Sequence, residues 1–157
     1  MDPGHEIFER HLNATLRALD RFPSVAAVHA RNFFDTSFTN KGFTDNAIEL
    51  WKPVMKKGSP KERPLVQSGR LRRSLATSPG LVYTDVEYAA IHNEGGGVSA
   101  TQTVREHTRK GRKVRSHLRK VHFTMPKRQF MGPSAKLDKE LEQIAVDLIS
   151  TALNAQS

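Results

Sequence analysis

Cysteine is absent from the 157-residue sequence, which excludes disulfides and cysteine-ligated zinc. That absence fits a reducing compartment. No apolar run approaches the roughly 18 residues of a membrane span. The opening MDPGHEIFER lacks the basic-then-apolar order of a secretory signal. Together these absences predict a soluble chain, made and used in a cytoplasm, with no membrane partner. No internal repeat is present. The length suits one domain with a core that needs no covalent staples.

Acidic residues are also scarce, 16 against 25 Lys and Arg, for a formal charge of +9. The excess is local. Residues 101–128 hold Arg105, Arg109, Lys110, Arg112, Lys113, Arg115, Arg119, Lys120, Lys127 and Arg128 against one acid, Glu106. That segment carries the whole net charge, so the remainder is close to neutral. Cations at this density cannot fold against an apolar core; they face water or anions. Each phosphate contact would add a salt-dependent increment to nucleic-acid affinity. The aromatics nearby are only Phe123 and Phe130, so base stacking has little support and backbone contact without sequence reading is the fitting mode. The bland alternatives are a solvated loop or a loop that meets an acidic protein.

Periodicity predicts the elements. Phe8, Leu12, Leu16 and Leu19 mark an amphipathic helix over residues 4–20. Pro23 suits the first turn of a second helix, with Ala26, Ala30, Phe33 and Phe34 on one face, ending near residues 35–40. Ile48, Trp51 and Met55 would share a face of a short helix interrupted by Pro53; the lone tryptophan reads as a core anchor. KKGSPKERP reads as an exposed loop. A short helix through GRLRRSLA, capped by Gln67 or Ser68, turns Leu71 and Leu75 inward and Arg70, Arg72 and Arg73 outward, and TSPG ends it. Residues 81–85 alternate as a half-buried strand does, and Tyr88, Ile91 and His92 have the spacing of a helical turn. VSATQTV and SHLRKVHFTM read as two β arms around the basic tip REHTRKGRKVR. Leu137, Leu141, Ile144, Ala145, Leu148, Ile149 and Ala152 define a final helix over residues 134–154.

The expected fold class is α+β: a small antiparallel sheet with a long basic β-hairpin, packed against amphipathic N- and C-terminal helices. A single domain over residues 1–157 divides into a helical part (1–58), a loop (59–64), a short helix with sheet and hairpin (65–133) and the C-terminal helix (134–157).

One stretch, LVYTDVEYAAIHNEGGG, holds residue types suited to chemistry: Asp85, Glu87, His92 and Glu94. A general base needs hydrogen-bond reach of its substrate, and no nucleophile elbow or Walker loop accompanies these residues. The competing reading packs Tyr88, Ala89 and Ile91 and leaves the charges in water. His92, His107, His117 and His122 form no spaced metal pair, and arginines around two of them repel cations. The glycines fit neither phosphate-loop pattern. No catalytic residue, metal ligand or cofactor is therefore expected, and the stretch reads as a corner that launches the hairpin.

PLVQSGRLRRSL, YAAIHNEGG and KRQFMGPS, in that order before a terminal amphipathic helix, resemble the virion morphogenesis (tail-completion) proteins of tailed bacteriophages. Those carry an L-V-x-[ST]-G-x-L-x-x-S box, a Y-A-x-I-H box followed by glycines, and an R-x-F-[ML]-G-x-S box; the matching residues here are 65–74, 88–96 and 128–134. ELWKP resembles their upstream W-x-P element. The likeness runs from about Phe33 to the C-terminus. It implies a non-enzymatic building block, active in the virion and in the host cytoplasm during assembly, at the end of the tail or at the head–tail connector. The implied partners are further copies of itself in a homo-oligomeric ring, a hexamer being one candidate, other connector or tail proteins, and the phage DNA backbone. Trp51, Gly69, Leu71, Tyr88, Ile91, His92, Gly95, Gly96, Phe130 and Gly132 would be the structural residues of the boxes. The hairpin cations from Arg105 to Lys120 would contact nucleic acid or a partner. Two rivals are a free nucleic-acid-binding protein and a nuclease using His92 and Glu94.

Overall fold

The computed structural model describes residues 3–53, 64–66 and 68–155. Gln67, Met55 and residues 56–63 of the expected loop lie outside that range.

The first helix, α1 (Pro3–Asn40), is continuous over 38 residues, where the sequence led us to expect two. Pro23 sits inside it. A proline there forfeits one backbone hydrogen bond, at about 3 kcal/mol. The last helix, α4 (Ala135–Asn154), packs against α1 on both sides of that point. His29 meets Glu140 at 2.8 Å near one end, and Ala14 and Ala18 face Leu148 and Ala152 near the other. The two helices therefore run antiparallel, and their interface spans the proline. The boundaries expected for α4 hold. Ser134 caps it, with its Oγ accepting from the Leu137 amide at 3.1 Å, and Asp138 lies in the first turn.

The fold is α+β, with strands antiparallel throughout in four separate two-stranded ladders rather than one sheet. β1 (Gly42–Thr44) pairs with β2 (Ile48–Leu50). This hairpin replaces the short helix expected around Ile48 and Trp51. The polar run Asp45–Asn46 between two apolar segments makes a turn, and the Trp51 amide closes the ladder on the Lys41 carbonyl at 2.7 Å. The helix α2 (Arg70–Arg73) follows, with Leu71 and Leu75 buried as expected. Ser68 Oγ accepts from the Arg70 amide at 3.3 Å. Next, β3 (Ala76–Ser78) and β4 (Leu81–Tyr83) form a hairpin around Pro79–Gly80, and α3 (Ala89–Glu94) supplies the predicted helical turn.

The core sits where these pieces meet. Phe33, Phe34 and Phe38 of α1 pack with Phe43, Trp51, Leu71, Leu75, Val86, Ala89, Phe130 and Leu137. Phe38 stands edge-on to Trp51 at 5.8 Å and tilted against Phe130 at 5.3 Å. Such ring pairs add to area burial.

Candidate functional site

A long hairpin leaves this body. Its stem is β5 (Gly96–Val104) paired with β8 (His117–Met125), nine residues on each side. Beyond its base, no other described element packs along the stem. The tip is a second ladder, β6 (His107–Arg109) with β7 (Arg112–Val114). Lys110 (φ 50°) and Gly111 (φ 76°) form its two-residue turn. Two positive φ values in succession match the turn that suits strand twist, and glycine at the second position makes it easy to adopt.

The tip collects like charge. Arg109 lies directly opposite Arg112, flanked by Lys110, Lys113, Arg105 and Arg115, all exposed. Facing cations in a ladder repel, by about 0.2–1 kcal/mol per pair. Among the described residues, no carboxylate forms an ion pair with any of them. His107 and His117 each donate a ring N–H to a carbonyl two residues back, Arg105 at 3.0 Å and Arg115 at 2.9 Å, at the joints between stem and tip. On the stem, Arg119 donates to Gln102 Oε1 at 3.3 Å, and Lys120 is exposed.

The base of the hairpin is built by the second and third sequence boxes, with Trp51 and Ser37 behind them. Gly95 ends α3 with φ 74°, and a Cβ there would lie 2.7 Å from the Lys127 amide nitrogen. Both the conformation and the close approach call for glycine. The His92 carbonyl accepts from the Arg128 amide at 2.8 Å, and Asn93 Oδ1 accepts from the amides of Phe130 and Met131 at 2.9 and 3.2 Å. Trp51 Nε1 donates to the Gln129 carbonyl at 2.6 Å, and Ser37 Oγ to the Phe130 carbonyl at 3.2 Å. Phe130 has no exposed surface. Ile91 is half-buried beside Gly96, while Gly69 and Gly132 take positive φ around α2 and before α4.

Two residues differ from their expected places. Arg128 is buried rather than part of the basic surface, with Nε donating to the Lys52 carbonyl at 3.2 Å. Burial lowers its pKa. Arg72 does not point freely outward. It grips Asp35 of α1 through two bonds, Nε to Oδ1 at 2.7 Å and Nη2 to Oδ2 at 2.6 Å. The Arg72 hydrogen bond holds the Asp35 carboxyl below its usual pKa.

The four polar residues of the opening stretch have separate surroundings. Asp85, Glu87 and Glu94 are exposed. His92 is half-buried and edge-on to exposed Tyr88 at 5.6 Å. Its Nδ1 is buried without a hydrogen-bond partner, and burial followed by the nearby Arg128 charge lowers its pKa. Among the described residues, no three His, Asp or Glu side chains converge as a metal site, and no helix is long and apolar enough to cross a membrane. Sequence reasoning missed Asn93, Ser37 and Asp35, whose partners lie far away along the chain. For Asn93 the only local signal was an amide side chain just before the glycines.

No curated protein and no solved structure matches the chain. The model of the phage virion morphogenesis family matches residues 46–150, which hold all the boxes, the hairpin and most of α4. The chain belongs to the phage virion morphogenesis family.

Proposed function

We propose that this chain is a non-catalytic structural subunit that completes the phage tail or joins head to tail as one member of an oligomeric ring. It would act in the host cytoplasm during assembly and remain in the virion. The supporting observation is the arm: a two-stranded stem standing off a well-packed body, tipped with cations that have no carboxylate partner among the described residues. A polyanion or an acidic protein face supplies that partner. Packaged DNA near the ring and the acidic surface of a neighbouring virion protein both meet the requirement.

Replacing Arg109, Lys110, Arg112, Lys113 and Arg115 together with glutamine tests this reading. The fold should persist, because all five are exposed. Particles made with that variant should show heads with unjoined or unfinished tails, or heads that lose DNA. Normal infectious particles would contradict the proposal.

The same tip supports a second reading, a nucleic-acid-binding protein that acts alone. It requires DNA affinity in the isolated chain that falls steeply with salt.

A further inference from the structure

We infer that the stem of one subunit lies along the first half of α1 in the next, so that ring formation proceeds head to tail through these two surfaces. The inference rests on the assembly reading above and locates its contact.

Two apolar surfaces have no partner among the described residues. The first is on α1. At about 100° per residue, Phe8, Leu12, Leu16 and Leu19 fall within about 80° of one another, on the side that Ala30, Phe33 and Phe34 use for the core. The core stripe thus continues toward the N-terminus after the body has ended. Phe8 is 64% exposed there, and the three leucines are nearly half exposed. α4 occupies a different side, against Ala14 and Ala18. The second surface is one face of the stem. Strand alternation places Val98, Ala100, Gln102 and Val104 on it with their opposite residues Phe123, Val121, Arg119 and His117. Phe123 is 48% exposed. A lone two-stranded hairpin with an uncovered apolar face is marginal in water.

The two surfaces complement each other in length and charge. Residues 98–104 of an extended strand span about 20 Å, and residues 8–19 of a helix about 17 Å. The charged residues nearest the helix stripe are acids, Glu9 and Asp20. Arg10, Arg17 and Arg21 lie on the far side, the latter two beside the C-terminal turn of α4. The stem face carries Arg119 toward its outer end, with the basic tip beyond. Apolar surface therefore meets apolar surface while acid meets base. The occupant is a second copy, because every chain carries one of each surface and does not pack them on each other. Two different patches make a heterologous contact, which repeats until its rotation closes.

A mixing experiment on the full chain tests the contact. One variant carries Leu12→Gln with Leu16→Gln; the other carries Val121→Thr with Phe123→Thr. All four positions lie outside the core, so helix content by circular dichroism should match the parent. In analytical ultracentrifugation the parent should self-associate. Each variant alone should do so on the order of 100-fold more weakly. Mixed in equal amounts, the variants should form a species of twice the subunit mass, since one intact stem meets one intact stripe. Oligomers that persist in either variant, or a mixture that stays apart, would overturn this contact and leave the assembly reading standing. A parent chain that remains a single subunit at high concentration would overturn both the contact and self-driven ring formation.

Discussion

Phe130 touches Phe38 of α1 and has no exposed surface, so its removal leaves a cavity in the core cluster. Phe130→Ala should destabilise the chain by about 3–5 kcal/mol in denaturant titration. Asp35→Asn should do far less, about 0.5–1 kcal/mol, because Arg72 is more than one third exposed and its pairing is screened. The sign with pH is fixed. The carboxyl pKa is lowered in the folded state, so the pair stabilises above the unfolded value of 3.8 and that benefit is lost as pH falls through the folded value. The gap between parent and Asp35→Asn melting temperatures should therefore close in strong acid. His92 works in the pH window above. Its folded pKa is also lowered, here because burial and Arg128 disfavour the charged form. The unfolded chain takes up a proton first, so stability falls as pH drops through 6.5 toward the lower folded value. His92→Phe should flatten that part of the curve. Residues of this kind were only partly legible. Leu71, Trp51 and Phe130 stood out as apolar anchors within boxes. Asn93, Ser37 and Asp35 did not, because a hydrogen bond across 37 or 93 positions leaves no periodic trace.

Elements were readable in proportion to their length. The seven apolar positions of α4 repeat over about four turns, and its cap and first-turn acid agree with them. α1 was split at Pro23 because the local proline rule was applied without the long interface that outweighs it. β1 to β3 are three residues each, too short for alternation to show; β4 is as short but was legible because the alternation runs on to Asp85. β5 and β8 were recognisable because each runs for nine. Their attachment makes a prediction of its own. Gly95→Ala forces a positive φ on a residue with a Cβ and sets that atom against the Lys127 backbone. It should cost about 1–3 kcal/mol and speed hydrogen exchange at the base of the stem, with little change in the interior of α1 and α4.

At the scale of the whole molecule, a packed body carries an extended arm that the other described residues leave uncovered. The body has aromatic packing, a capped helix and well-satisfied backbone at the boxes. Among the described residues the arm has a bare apolar face, cations without ion pairs and only its base tied down. Local stability follows buried contacts, so the free subunit should exchange amide hydrogens fastest in the stem and tip. The chain belongs to a phage virion morphogenesis family, and in the assembly proposed above neighbours would supply what the single chain omits.

The most direct measurement compares amide exchange of residues 96–125 in the free subunit with the same residues in assembled particles. The account predicts fast exchange when free and slowing of the stem by on the order of 100-fold or more in the particle. Equal rates in both states would contradict it, because an arm that gains no cover on assembly is not the docking limb.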